Sequence, residues 1–328
     1  MKNKEILVTG GCGFIGSHLV EMLVKNGNKV ICFDRYNPNN HWGWLENSDI
    51  RDDIEVVLGD IRDFDSVYDV VKGVEVVFHL AALIGIPYSY VSPLAYIRTN
   101  IEGTYNVLES AKLQGTDQII TTSTSETYGT AQYVPIDEAH PLVGQSPYSA
   151  TKIAADQIAF SYFKSFDLPV KIARPFNTYG PRQSSRAIIP TIITQILEGN
   201  GEIRIGNTSP TRDLTYVLDT CRAFIEIAEQ SELIGDVVNI GTNTEISIQE
   251  LIEKIEKISG KKVKTVQDKE RIRPKKSEVE RLISSNEKIL STTNWKPEIS
   301  LEEGLTKTFQ WFEKIDINSL YKPDRYNV

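Results

Sequence analysis

Six short apolar runs, spaced along the first half of the chain, most constrain what this sequence can fold into. They are Ile6–Thr9, Lys29–Phe33, Ile54–Leu58, Val76–Leu80, Gln118–Thr122 and Val170–Ala173. Each is a continuous β-branched or apolar stretch rather than an apolar/polar alternation. Such a strand must be covered on both faces, which is the signature of a parallel sheet. Between the runs lie helical patterns, notably Ile15–Asn26, Pro93–Leu113 and Tyr148–Phe166. A repeated strand–helix order requires crossover connections, so the expected class is α/β with a doubly wound parallel sheet.

After Pro175 the rhythm changes. A loop rich in Asn, Gly, Pro and Arg (Phe176–Arg186) leads to a helix near Ile188–Glu198, with strands expected at Ile203–Ile205 and Leu214–Val217. Val237–Ile240 again reads as a doubly covered strand. Ile248–Ile258 and Leu301–Phe312 read as amphipathic helices, and Lys261–Glu280 as a charged surface stretch. No repeat or low-complexity linker separates the halves. The expected division is a dinucleotide-binding domain over 1–177, rejoined by a segment near 213–243. A smaller α/β ligand-binding lobe then comprises 178–212 and 244–328.

With 44 acidic against 36 basic residues, the formal charge is −8. That argues against a nucleic-acid surface, though local arginines in an acidic protein still suit a small anion. Cys12, Cys32 and Cys221 are an odd number without metal-type spacing, which favours reduced thiols and no metal site. Met1-Lys2-Asn3-Lys4-Glu5 runs straight into the first strand, and no apolar run approaches membrane-spanning length. The expectation is a cytoplasmic protein with no membrane partner.

Thr9-Gly10-Gly11-Cys12-Gly13-Phe14-Ile15-Gly16 follows the first strand and opens the first helix. Gly10, Gly13 and Gly16 permit a tight turn and close backbone approach to a pyrophosphate, with Phe14 and Ile15 on the helix N-terminus that receives it. The motif in this context predicts a Rossmann-type dinucleotide site. Asp34, ending the second strand, is placed for the adenosine ribose hydroxyls and would repel a 2′-phosphate. NAD is therefore favoured over NADP, although Arg35 beside it would suit such a phosphate. Asp60 and Ile61 after the third strand fit the adenine end. Leu80, Ala81 and Ala82 supply small side chains after the fourth.

Tyr148-Ser149-Ala150-Thr151-Lys152 sets a phenol and an ammonium one helical turn apart on one face. A nearby cation favours phenolate, which predicts Tyr148 as a base tuned by Lys152. His18 and His79 are expected to be core residues and Cys12 a small filler. The Trp42/Trp44 loop either covers the site or packs on the surface.

With these motifs together, the chain resembles the extended short-chain dehydrogenase/reductases of the NAD-dependent epimerase/dehydratase group over essentially its whole length. The resemblance implies that Thr124, in Ser123-Thr124-Ser125-Glu126-Thr127-Tyr128-Gly129, completes the catalytic set with Tyr148 and Lys152, both of which also bind NAD. Ser125-Glu126 is similar to the acid-bearing pair of hexose 4,6-dehydratases of the GDP-mannose type. It implies Glu126 as base at C5, with Ser125 or Glu126 protonating the departing hydroxyl.

The resemblance further implies that Asn177, in Arg174-Pro175-Phe176-Asn177, and Arg212 and Arg273 contact the substrate diphosphate. Glu278 would meet the nucleotide ribose, and Tyr88 and Arg186 would also line the substrate site. Ala82-Leu83-Ile84-Gly85-Ile86-Pro87-Tyr88-Ser89 lacks the Ser-His pair common in hexose dehydratases, which leaves room for an acetamido group at C2. Together with His41-Trp42-Gly43-Trp44-Leu45, Ser209-Pro210-Thr211-Arg212-Asp213 and Lys276-Ser277-Glu278-Val279-Glu280-Arg281-Leu282, this is similar to the 4,6-dehydratases of legionaminic-acid synthesis. The implied substrate is GDP- or UDP-N-acetylglucosamine. The implied assembly is a homodimer through Pro93–Leu113 and Tyr148–Phe166. A nucleotide-sugar 4-epimerase and a non-enzymatic NAD-sensing protein are the alternatives.

Overall fold

A computed structural model describes residues 1–199 and 201–321. The end of the expected ligand-binding lobe, residues 322–328, lies outside them. The runs read as doubly covered strands form one sheet: β1 (Glu5–Thr9), β2 (Lys29–Arg35), β3 (Ile54–Gly59), β4 (Val76–His79), β5 (Gln118–Thr122) and β6 (Val170–Pro175). Val237–Ile240 joins as a seventh strand beside β6, pairing Val238 with Ala173 and Ile240 with Pro175. Across the sheet the order is that seventh strand, then β6, β5, β4, β1, β2 and β3, with every pairing parallel. The winding reverses between β1 and β4, and the crevice at the carboxyl ends of those strands is where such sheets bind ligands.

Helices cover both faces. α1 (Phe14–Lys25) joins β1 to β2, and α2 (Phe64–Val71) joins β3 to β4. After β4 come α3 (Ile86–Val91), α4 (Pro93–Tyr96) and α5 (Gly103–Gln114), and β5 is followed by α6 (Pro147–Phe166). Leu19, Val20 and Leu23 of α1 pack with Ile6, Val8 and Val30 on one face, while Val107, Leu108 and Ala111 of α5 pack with Leu7, Val77 and Ile119 on the other. The helix α6 starts on a capping box in which Ser146 and Ser149 satisfy each other's backbone N–H groups, with Pro147 at its first turn.

Three local expectations are corrected. The stretch Pro93–Leu113 is not one regular helix: Ile97–Glu102, between α4 and α5, is wound as a π-helix. Its Asn100 side chain bonds both the N–H and the C=O of Leu83 and the Thr151 hydroxyl, so the widened turn serves a tertiary tie. The strand expected at Leu214–Val217 stops at Tyr216, because Val217 opens a helix running to Glu229. Within the charged stretch Lys261–Glu280, Lys264–Gln267 forms a strand paired with Glu202–Ile205, and Ser277 and Val279 are buried.

The remaining pieces build up against the end of this sheet. Asn177–Tyr179 pairs with Leu214–Tyr216, and Thr211–Arg212 lies between Ile246–Ser247 and Arg281–Leu282. The helices Ile188–Glu198, Ile248–Ser259 and Leu301–Phe312 share one core with α1 and with Val217–Glu229. No helix among the described residues is long and apolar enough to cross a membrane.

Gly304 sits where Leu301–Phe312 presses on the sheet: a Cβ there would lie 2.1 Å from the buried Tyr179 hydroxyl, which donates to Leu301 O. A helix-interior Gly→Ala change ordinarily gains about 1 kcal/mol, but overpacking costs about 1–3 kcal/mol or more. Because the phenol is pinned, the clash should win. Gly304→Ala is expected to lose about 1 kcal/mol or more in urea unfolding.

Candidate functional site

Gly10 and Gly16, at the turn between β1 and α1, cannot carry side chains. Gly10 has φ +72°, and its Cβ would meet Ala81 N at 2.9 Å; a Cβ on Gly16 would fall 2.1 Å from Gly10 O. The first turn of α1, at Phe14 and Ile15, has no side-chain cap. Its N–H groups are thus available to an anion, and the turn's backbone is bare enough to let one approach. Asp34 bends over the same turn, accepting from Cys12 N–H at 2.9 Å with one oxygen and from Arg35 N–H at 2.7 Å with the other. Arg35 itself points to solvent. These features fit a dinucleotide.

At the end of β4, Ala81 N–H donates to Thr9 Oγ1 (3.2 Å), which bonds His79 Nδ1 (2.8 Å); His79 Nε2 in turn meets Thr104 Oγ1 (3.1 Å). That buried chain fixes Leu80-Ala81-Ala82 over the sheet's carboxyl edge. Asp60 is engaged by Arg62, and Ile61 is buried against Gly103. Cys12 is a buried thiol pushed up to about 12, first by desolvation and then by Asp34, which suits a filler. In the Trp42/Trp44 loop, Trp44 packs edge-on against Trp311 at 5.4 Å, and its backbone N–H donates to Cys12 O of the glycine turn.

Thr124, Ser125, Glu126, Tyr148 and Lys152 converge where β5 ends against the first turns of α6. Thr124 caps a short 3₁₀ turn, Ser125–Tyr128, by accepting from Glu126 N–H at 3.3 Å. Ser125 and Tyr148 are buried, while Thr124 and Glu126 are half-buried. Burial raises the Tyr148 phenol well above its ordinary value, and hydrogen bonding with the Thr124 side chain pulls it partly back. Lys152 does not supply the main downward pull that the sequence suggested. Its ammonium donates to Thr122 O at 2.5 Å, and burial lowers its own pKa while Asp156 opposes that fall.

The substrate-side residues gather beside this group. Arg212 Nη2 lies 3.6 Å from Glu278 Oε1; Arg273 Nη1 lies 3.7 Å from the same oxygen and 3.8 Å from Glu126 Oε1. The Arg273 Nη1 and Asn177 Oδ1 atoms are buried without a hydrogen-bond partner, a state that a polar ligand would relieve. Tyr88 packs at 6.1 Å on Tyr96, and Tyr96 packs edge-on against Tyr148 at 6.2 Å. Arg186 is exposed, with its chain 3.6 Å from where a Gly85 Cβ would be.

Sequence reasoning missed a buried network directly beneath. Arg174 donates to Asp156 (2.8 Å), Ser123 (3.1 Å) and Tyr128 (2.7 Å), and Tyr128 donates to Asn239 (2.7 Å). The available signal was Asp156, four residues beyond Lys152 and eight beyond Tyr148, on their helix face.

Residues 7–308 match the family model described as GDP-mannose 4,6 dehydratase. The chain belongs to that family. It is 32% identical over 323 residues to a UDP-N-acetyl-alpha-D-glucosaminuronate decarboxylase of Bacillus cytotoxicus, covering 95% of this chain and 99% of the relative. A dTDP-glucose 4,6-dehydratase of Streptomyces venezuelae, solved with NAD and TYD bound, superposes with a TM-score of 0.88 at 28% identity, covering 98% and 100% of the two chains. A UDP-glucose 4-epimerase of Thermotoga maritima, solved with UDP-glucose, gives 0.86 at 31% identity, covering 94% and 99%. The family thus holds nucleotide-sugar dehydratases, epimerases and decarboxylases on one frame.

His79 offers a pH test of the frame. Burial, with Lys152 adding to it, pushes its pKa down to about 3 from an ordinary 6.5. The unfolded chain therefore binds the proton first, and stability falls as pH drops below about 6.5. Between pH 7 and pH 5 the loss assignable to this group is about 2 kcal/mol. His79→Gln should flatten the fall in unfolding free energy over that interval by about this amount, measured by urea denaturation at each pH.

Proposed function

We propose that this protein is an NAD-dependent nucleotide-sugar 4,6-dehydratase acting on GDP- or UDP-N-acetylglucosamine, as the legionaminic-acid enzymes it resembles do. The carrying observation is Glu126, a half-buried carboxylate on the turn that Thr124 caps, facing Arg273 across the mouth of the site. An epimerase needs no acid at that place, whereas elimination across C5–C6 does.

The cofactor is NAD, held by Gly10, Gly13, Phe14, Ile15 and Gly16 at the pyrophosphate and by Asp34 at the adenosine ribose. Asp60 and Ile61 take the adenine end, and Leu80, Ala81 and Ala82 supply small side chains beside the cofactor. Bound there, NAD would supply the hydride exchange of the reaction, accepting at C4 and giving back at C6. Tyr148 removes the 4-hydroxyl proton, Thr124 orients that hydroxyl, and Lys152 holds the nicotinamide ribose. The C4 ketone acidifies the C5 proton, which Glu126 removes as the C6 hydroxyl leaves as water, protonated by Ser125 or Glu126; hydride return to C6 leaves an enolate that is reprotonated at C5, and the proton Tyr148 took from the 4-hydroxyl closes the count. Asn177, Arg212 and Arg273 take the diphosphate, Glu278 the nucleotide ribose, and Tyr88 and Arg186 the sugar side. The cofactor contacts fall in the domain 1–177, which 213–243 rejoins, while the nucleotide-sugar contacts are shared between that domain, through Tyr88 and Asn177, and the lobe of 178–212 and 244–328, through Arg186, Arg212, Arg273 and Glu278. The small, apolar 82–89 segment leaves space for the acetamido group.

Incubation with GDP- and UDP-N-acetylglucosamine, followed by mass spectrometry and proton NMR, should show loss of one water and a new C6 methyl signal with one of them. A C4 epimer of unchanged mass would replace this reading with the epimerase. In Glu126→Gln, water loss should fall by about a hundredfold or more while C4 oxidation continues, so reduced cofactor accumulates on the protein. Equal loss of both steps would remove Glu126 from the role of C5 base.

A further inference from the structure

We propose that Arg273 couples diphosphate binding to the release of Glu126, so that the C5 base becomes free only when a nucleotide sugar is seated. The inference rests on the roles given above to Arg273 and Glu126. Its basis is the geometry of four side chains drawn from three separate parts of the sequence. Arg273 Nη1 lies between two carboxylates, 3.8 Å from Glu126 and 3.7 Å from Glu278, yet makes a hydrogen bond with neither and is buried. Arg212 is anchored differently: Nη1 donates to Thr211 O at 2.8 Å, and only Nη2 approaches Glu278, at 3.6 Å. One arginine is therefore fixed, and the other is shared between two acids at a distance where each pairing is loose.

A diphosphate offers Arg273 what neither carboxylate gives it here, a paired set of acceptors at hydrogen-bonding distance with more negative charge. Drawn toward the phosphates beside Arg212, the guanidinium leaves Glu126. The displacement takes Arg273 away from the Glu126 oxygen it faced and leaves that oxygen open to the C5 proton. The proton balance is unchanged: Glu126 accepts the C5 proton only after the C4 ketone has formed. Without a bound diphosphate, Glu126 stays paired and adds little to an empty site.

Linkage makes this measurable without turnover, because whatever the diphosphate does to the Glu126–Arg273 pair, the pair does in reverse to diphosphate affinity. The protein with NAD bound would be titrated with GDP and with UDP by calorimetry, in the wild type, Glu126→Gln, Arg273→Gln and the double variant. Neither nucleotide carries a sugar, so the chemical role of Glu126 is silent. Glu126→Gln should tighten the better-bound nucleotide by about three- to fivefold, and this gain should vanish in the Arg273→Gln background.

Glu126→Asp keeps the charge but shortens its reach. It should also tighten binding, which separates a direct contact from a diffuse field and supplies a second folded variant. Equal tightening by Glu126→Gln with and without Arg273, or none, overturns the coupling while leaving the diphosphate site in place. Failure of both nucleotides to bind the wild type, or binding indifferent to Arg273, overturns the site assignment and the coupling with it.

Discussion

The candidate catalytic group stands on a buried ion pair. Arg174, on β6, and Asp156, on α6, meet at 2.8 Å with side chains almost wholly removed from solvent. Taking two charges out of water is expensive, and such a pair is tolerated only when its remaining hydrogen-bonding capacity is met. Here it is met: Ser123 bridges both partners, Tyr128 accepts from the guanidinium, and Asn239 receives the Tyr128 proton. The partners come from the residue that follows β5, the 3₁₀ turn, α6, β6 and the seventh strand. The pair thereby ties the turn bearing Thr124, Ser125 and Glu126 to the helix bearing Tyr148 and Lys152. Apolar packing would hold these elements together as well, but it tolerates sliding. A directional network does not, and the proton transfer proposed for Thr124, Tyr148 and a sugar hydroxyl would demand placement to a fraction of an ångström.

What the sequence revealed, and what it withheld, follows from where each element gets its signal. The six early strands were legible because both faces are covered, so each must be an unbroken apolar run; β5 was read to the residue, and β2 and β6 ran two residues further. Leu301–Phe312 was legible for its one-sided apolar stripe. The helix Val217–Glu229 was not, since its first residue continues the apolar strand before it and Tyr216 provides no side-chain cap. Lys264–Gln267 was invisible as a strand because it lies at the surface with polar side chains. Asp156–Arg174 escaped notice because nothing local marks an acid and a base 18 residues apart as partners. The π-turn at Ile97–Glu102 was hidden for a related reason, as its cause is the tie from Asn100 to Leu83 and Thr151.

The site divides along the same line. Glycines of the β1–α1 turn announce themselves because the backbone geometry excludes side chains, and Tyr148 and Lys152 because a helical turn fixes their spacing. Residues that select among reactions lie on loops, where side-chain direction is set by distant contacts. The pull of Lys152 on Tyr148 was a reasonable inference from spacing. In the folded chain the ammonium is spent on Thr122 O, leaving Thr124 as the nearer influence on the phenol. Spacing on a helix establishes that two groups share a face, but it does not say which competing partner each will choose.

That distinction matters most for charge. The whole chain is acidic at −8, so a dianionic ligand must be received by a local exception. On the proposed reading Arg212 and Arg273 form it, but they stand against Glu126 and Glu278, and the four charges nearly cancel. A cluster of unopposed arginines would bind any phosphate tightly and would repel itself when empty. Balancing it with carboxylates removes that repulsion and lowers affinity for small anions that cannot engage both arginines. On the proposed reading, the acid that neutralises the empty site is also the one elimination would use as its base, and the ligand's own charge would decide which of the two tasks it performs.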